Sequence, residues 1–133
     1  MKKNILIFGI TGLLGSQLNL YLKNKKYKII GVGYRQKDCH YSLNVTDYKK
    51  TFKLIKKIKP GIIINCIAFT DVDKCNIDFK NAYEKNVVSI YNIVNVLKIL
   101  KVKTHLIHIS TDQVYNNTKK KNKEEKTKIL NNY

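Results

Sequence analysis

The sequence predicts an α/β fold, a doubly wound parallel sheet with helices on both faces, and three features of its 133 residues carry that prediction. Four runs, at 4–8 (NILIF), 28–32 (KIIGV), 62–67 (IIINCI) and 105–109 (HLIHI), are too short for helices and largely apolar. Strands covered by helices above and below read this way, because both of their faces are buried. Segments with helical spacing of apolar residues lie between the runs, and that alternation points to parallel strands joined by right-handed crossovers. A glycine-rich turn, Gly9 to Gly15, follows the first run directly.

Taken in order, strand 4–8 enters the turn, and a helix over 16–23 follows in which Leu14, Leu18 and Leu22 recur every four residues on one face. Strand 28–32 runs into the polar loop 33–37. Thr46 and Asp47 then offer an N-cap for a helix that carries Tyr48, Phe52 and Ile55 on one side and stops at Pro60-Gly61. Strand 62–67 is followed by a polar stretch and by a long helix from about 79 to 100, with Val87, Tyr91, Val94 and Leu97 along its apolar stripe. Strand 105–109 closes the series. Residues 116–132 are rich in Lys, Asn, Glu and Thr and read as a loop or mobile segment.

Composition bounds what such a chain does. One domain is the ceiling at this length, and no apolar run approaches the ~20 residues that span a bilayer. The N-terminus lacks the pattern of a cleaved signal peptide, so a cytoplasmic location and no membrane partner are expected. The formal charge of +17, from 26 basic against 9 acidic residues, would ordinarily raise nucleic acid as a partner. Here all but Arg35 are lysines, spread over every segment and accompanied by Asn, Ile and Tyr, which share AT-rich codons. A nucleic-acid site would use arginine forks and aromatic platforms on one face, so none is expected. The run Lys119 to Lys121 reads as a solvated loop.

Cys39, Cys66 and Cys75 have neither zinc-ligand spacing nor a disulfide framework's even count. His105 and His108, three apart on a strand, face opposite ways, so no metal site is expected. Asp71 and Asp73 read as helix-capping residues rather than acid–base groups.

The chemistry concentrates at G-x-x-G-x-x-G, Gly9, Gly12 and Gly15, between a buried strand and a helix. The first glycine permits the tight turn, the second lets a diphosphate approach the backbone, and the third allows close helix packing. The phosphates then meet free N–H groups at the helix N-terminus, so the turn predicts nucleotide binding. In dinucleotide folds a carboxylate after the second strand holds the adenosine ribose hydroxyl, whereas an arginine accommodates a 2′-phosphate. Gly33-Tyr34-Arg35 stands there, which favours NADP(H) over NAD(H); the alternative for Arg35 is an exposed loop charge.

Four segments now bring a family into view: 8–15 (FGITGLLG), 60–74 (PGIIINCIAFTDVDK), 82–92 (AYEKNVVSIYN) and 107–115 (IHISTDQVY). With 130–133 (LNNY), they resemble, in order, the extended short-chain dehydrogenase/reductases, most closely the dTDP-4-dehydrorhamnose reductase group. The resemblance implies a Rossmann-type sheet, incomplete at the C-terminus, over residues 1–133. It implies that Gly9, Gly12, Leu13, Leu14 and Gly15 serve the diphosphate, and that Ala68, Phe69 and Thr70 line the path of the adenosine or nicotinamide ribose. Asn44 and Val45 stand where the family places a carboxylate against adenine. Asn86 matches a cofactor-helix asparagine, with a bond to a neighbouring loop as its alternative role. Cys66-Ile67 replaces small alanines, and Ile129 replaces a proline.

The resemblance further implies that Thr111 holds a substrate carbonyl and that Tyr133 donates a proton to its oxygen as hydride arrives. A tyrosine near its ordinary pKa of about 10 needs an adjacent cation to do this at neutral pH, and the family supplies a lysine four residues later. No residue follows Tyr133 in the sequence. The implied activity is therefore NADP(H)-dependent reduction of the 4-keto group of a nucleotide-linked deoxysugar, as in dTDP-rhamnose and polysaccharide biosynthesis. The chain is expected to be a fragment that does not turn over alone. The alternatives are a non-catalytic NADP-binding regulatory subunit of the same fold group and a non-functional gene fragment. The assembly stays open, a homodimer being one option.

Overall fold

In the computed structural model, which describes residues 4–25, 27–34 and 38–111, one sheet of five parallel strands runs through the molecule. The strands are β1 (Asn4–Phe8), β2 (Lys28–Gly33), β3 (Tyr41–Ser42), β4 (Ile62–Asn65) and β5 (His105–His108), in the spatial order β3-β2-β1-β4-β5. β1 is central, with Leu6 level with Ile30 of β2 on one side and with Ile63 of β4 on the other. Chain order reverses between β1 and β4, the topology of a Rossmann-type sheet.

The strand pleat sorts the core into two layers. Leu6 and Phe8 of β1, Val32 of β2 and Ile63 of β4 face α2 (Tyr48–Ile58) and the later helix α5 (Ser89–Leu100), packing against Leu54, Ile55, Ile93 and Val96. Ile5, Ile7 and Ile64 face the other way, towards Leu18 and Leu22 of α1 (Leu13–Lys23). Alternation along fully covered strands puts apolar side chains on both faces, which is why the runs lack polar positions. Helices thus cover both faces of the sheet, as the sequence predicts.

Several expectations need correction. β3 lies in a stretch without an apolar run; it forms because Tyr41 and Ser42 pair with Val32 and Gly33 at the sheet edge. The polar stretch after β4 contains α3 (Val72–Ile77), started by Asp71, whose carboxylate accepts from the Lys74 N–H at 3.0 Å. The long helix is three pieces: α4 (Phe79–Tyr83), a π-helical turn at Glu84–Val88, and α5. A π-turn shifts the facing of everything after it relative to a continuous helix. Val87 and Tyr91, expected inside, are 43% and 64% exposed, and the buried set is Ala82, Ser89, Asn92, Ile93 and Val96. Leu14 is exposed too, since Gly15 takes the buried place in the first turn of α1. The expected strands 62–67 and 105–109 end at Asn65 and His108, where the Asn65 side chain takes over from the ladder. Residues 116–132, with the lysine run, lie outside the described residues.

Three buried polar side chains tie neighbouring segments together. Asn92 on α5 donates to the carbonyls of Val45 at 3.0 Å and Thr46 at 2.9 Å, and Thr51 of α2 donates to the same Val45 carbonyl at 3.1 Å. Asn65, at the end of β4, accepts from the Ile67 N–H at 3.3 Å through Oδ1, which turns its Nδ2 towards His108 Nδ1 at 3.1 Å. An amide N–H₂ only donates, so His108 Nδ1 is the acceptor and the imidazole proton sits on Nε2. Among the described residues no helix is long and apolar enough to cross a membrane.

Replacing Asn92 with alanine strips buried carbonyls of a donor and is expected to lower stability by about 1–3 kcal/mol, read from the urea midpoint. Thr51→Val costs less, because Asn92 still serves Val45. Partial desolvation pushes the His108 pKa below its ordinary 6.5, so the folded chain takes up a proton less readily than the unfolded chain. Stability is accordingly full above that ordinary value and falls as pH drops towards the folded value. Urea midpoints at about pH 8 and about pH 5 should show a decline that His108→Gln reduces; an unchanged decline would remove the assignment.

Candidate functional site

At its first turn the chain leaves β1 through Gly9, which sits at φ +78, a backbone region that side chains rarely allow. A Cβ there would also come within 3.0 Å of the Cys66 carbonyl carbon, so the turn and the segment after β4 meet backbone to backbone. The Gly9 and Ile10 N–H groups both donate to the Val32 carbonyl, and the Gly12 N–H returns to the Gly9 carbonyl at 3.0 Å. Gly15 is the other tight point: a Cβ on it would run into the Gly9 carbonyl. Without side chains at either place, α1 packs directly onto the turn.

The start of α1 differs from the other helices that begin in loops. Asp47, Asp71 and Asp78 cap α2, α3 and α4 by accepting an N–H two or three residues into the helix. Gly12 caps α1 with no side-chain hydrogen bond, and its first turn has no acidic residue. The N–H groups of Leu13, Leu14 and Gly15 thus keep a positive helix end bare of side-chain acceptors. That end suits a phosphate.

Next to it opens a cleft of about 450 Å³ at the carboxyl ends of β1, β2 and β4. Gly9, Thr11 and Gly12 form one wall, and Val32, Gly33 and Tyr34 a second. Leu43 to Thr46 follow from the β3 side, and Cys66, Ile67 and Ala68 from the end of β4. Asn81, Glu84, Lys85 and Ser89 close it from α4, the π-turn and α5. A crevice outside the carboxyl ends of the strands, where the sheet order reverses, is where open α/β folds take nucleotides.

Of the residues singled out in the sequence, Gly9, Gly12, Asn44, Val45 and Ala68 line this cleft. Gly15 lies under it, and Leu13 and Leu14 contribute the helix end while their side chains face solvent. Asn44 Oδ1 accepts from the Thr46 N–H at 3.1 Å, and buried Val45 anchors the loop to the core. Phe69 and Thr70 lie just past the lining. Asn86 makes two bonds to Phe69, accepting from its N–H at 2.7 Å and donating to its carbonyl at 3.1 Å, the neighbouring-loop role among its two readings. The thiol of Cys75 donates to the same carbonyl at 3.2 Å. Thr111 follows β5 at the same edge of the sheet, outside the cleft lining. Arg35 and Tyr133 lie outside the described residues.

The electrostatics leave little for nucleophilic or metal chemistry here. Burial raises the pKa of the Cys66 thiol above its ordinary value, so the thiol in the cleft wall stays protonated. The Lys74 side chain and N–H hold the Asp71 carboxyl below the ordinary range, which keeps it ionised as a cap. Among the described residues no group of three His, Cys, Asp or Glu converges as a metal site. Sequence reading missed Thr11, Tyr34, Thr46, Glu84, Lys85 and Ser89. Glu84, Lys85 and Ser89 sit inside a segment that carried the family resemblance, yet on an ordinary helix they read as surface. The π-turn and its packing bring them to the cleft.

Comparison with known proteins agrees with this geometry. The profile of the family described as the RmlD substrate binding domain matches residues 1–133. A dTDP-4-dehydrorhamnose reductase of Aggregatibacter actinomycetemcomitans is 28% identical over 116 residues, 86% of this chain and 37% of that one. Methionine adenosyltransferase 2 subunit beta of Rattus norvegicus is 27% identical over 118 residues, 88% of this chain and 35% of that one. Among solved structures, dTDP-4-dehydrorhamnose reductase from Bacillus anthracis in complex with NADP superposes with a TM-score of 0.86 at 27% identity. That likeness covers 100% of this chain and 45% of the other. The chain thus spans less than half the length of these relatives. Glycine turn, sheet order and full-length profile match agree, and the chain belongs to the family described as the RmlD substrate binding domain.

Proposed function

We propose that residues 1–133 are the NADP(H)-binding part of a reductase that acts on the 4-keto group of a nucleotide-linked deoxysugar. The observation that carries this reading is the bare N-terminus of α1 opening on the cleft, with Gly12 at its cap and Gly9 and Gly15 packed beneath. Backbone N–H groups there would hold the cofactor diphosphate, Asn44 and Val45 would flank the adenosine, and Ala68 would line the path of the adenosine or nicotinamide ribose. Arg35, two residues beyond β2, would pair with a 2′-phosphate. Asn86 would act on the cofactor through Phe69, whose backbone it fixes from both sides.

When bound, the nicotinamide supplies hydride to the keto carbon. Thr111, at the exit of β5, would orient the carbonyl oxygen, and Tyr133 would donate the proton that the new hydroxyl needs. The stretch His108 to Thr111 is positioned by the Asn65 side chain and by the Ile109 N–H donating to the Asn65 carbonyl at 3.1 Å. The substrate-binding part would belong to chain beyond these residues. A second reading, a regulatory subunit that keeps the cofactor site without turnover, is favoured by the similarity to methionine adenosyltransferase 2 subunit beta.

Titration by fluorescence or calorimetry tests the cofactor assignment. NADPH is expected to bind at least tenfold more tightly than NADH, and Arg35→Ala to bring the two together, as for loss of a charge-assisted phosphate contact. Equal affinities that Arg35→Ala leaves unchanged would refute phosphate selectivity. Turnover separates the two readings. In a polypeptide continuing past Tyr133 with a lysine four residues on, a dTDP-4-keto-deoxysugar should drive NADPH oxidation. Tyr133→Phe should lower kcat at least ~100-fold, the usual weight of general acid catalysis. Cofactor binding without oxidation in that longer chain would favour the regulatory reading.

A further inference from the structure

Lys85 is a cation in the cleft wall for which neither the fold nor the glycine turn provides a reason. It belongs to the π-helical turn Glu84–Val88, and its ammonium lies 4.9 Å from the centre of the Phe69 ring. Phe69 is itself fixed by Asn86 on both sides of its peptide and by the Cys75 thiol. A lysine tail is costly to order, and an aromatic ring carried on a backbone pinned by three hydrogen bonds gives it a defined perch. The ion pairs among the described residues are Lys50 with Asp47 and Lys74 with Asp71, so Lys85 has no carboxylate partner there.

Its place along the cleft matters. Gly9 touches the backbone of Cys66 and Ile67, so the glycine turn and the segment leading to Phe69 adjoin. Tyr34, which precedes Arg35, stands instead at the end of β2. Lys85 therefore belongs with the diphosphate end of the cleft and not with the end where a 2′-phosphate would lie. Two cationic features would then share one anion: the N-terminus of α1 through backbone N–H groups, and Lys85 from the helical wall.

We infer that Lys85 is a binding residue for the diphosphate of a dinucleotide cofactor, placed on the cleft wall formed by the π-turn and steadied by Phe69. This rests on the cofactor reading above. The side chain donates from its ammonium to a phosphate oxygen, and no bond is made or broken.

Titrations of NADP⁺, NAD⁺ and adenosine 2′-phosphate into the wild-type chain, Lys85→Met and Lys85→Arg test it. The first two ligands contain the diphosphate, and the third has only the 2′-phosphate. Lys85→Met should weaken NADP⁺ and NAD⁺ alike, by about tenfold, as expected for one charge-assisted hydrogen bond. Binding of adenosine 2′-phosphate should stay within about twofold of wild type, and Lys85→Arg should recover most of the loss. Thermal midpoints within about 2 °C of wild type would show that the fold is intact; if Lys85→Met unfolds, Lys85→Gln is read in its place. Equal affinities in wild type and Lys85→Met overturn the inference. A loss confined to NADP⁺ and adenosine 2′-phosphate also overturns it, by moving the contact to the 2′-phosphate. A wild-type chain that binds no dinucleotide overturns the cofactor reading itself.

Discussion

Three backbone segments converge at Gly9, and most of the architecture near the cleft depends on how closely they approach. The turn after β1, the start of α1 and the chain leaving β4 meet with no side chain between them. A Cβ on Gly9 would meet Cys66, and one on Gly15 would meet Gly9. Side chains at those positions would push α1 away from the sheet and turn its N-terminus out of the crevice. The close approach lets the positive end of α1 open on the cleft at the reversal of strand order.

Elsewhere the structure relies on polar side chains that are buried or half-buried. Asn92 ties α5 to the loop after β3, Asn65 ties the exit of β4 to His108 on β5, and Asn86 ties the π-turn to Phe69. Asn92 and Asn86 join segments that share no backbone ladder, and Asn65 adds a side-chain bond where the β4–β5 ladder ends. Unpaired, such groups would be costly inside; among the described residues no buried side-chain nitrogen or oxygen lacks a partner. The cleft walls are therefore fixed by hydrogen bonds, while the sheet beneath is fixed by apolar packing.

The wall formed by α4, the π-turn and α5 shows where the two kinds of constraint meet. Ile93 and Val96 anchor it in the core, Ser89 and Asn92 are buried beside them, and Glu84 and Lys85 reach the cleft. A continuous α-helix through 79–100 would bury Val87 and Tyr91. The π-turn realigns the chain so that these two face solvent and the amide of Asn86 faces the loop after β4.

Much of this protein was legible in the residues alone. Strand positions were readable because apolar runs of four to six residues have few other structural uses, and the turn was readable because only glycine tolerates its backbone and its crowding. Gly9, Gly12, Asn44, Val45 and Ala68, singled out in the sequence, line the cleft. The two-residue β3, the short α3 and the π-turn were not legible. Their stability comes from pairing and hydrogen bonds with segments distant in the chain, and those leave no local period. The same holds for the inward face of α5, where Ser89 and Asn92 read as surface residues until their acceptors are in place. The sequence by itself determined four strands of the sheet, the glycine turn and the family to which the chain belongs, because these depend on local conformation and apolar pattern. Only the tertiary structure decided which helix face is buried and which side chains close the cleft, because buried amides and a shifted helical register act between segments.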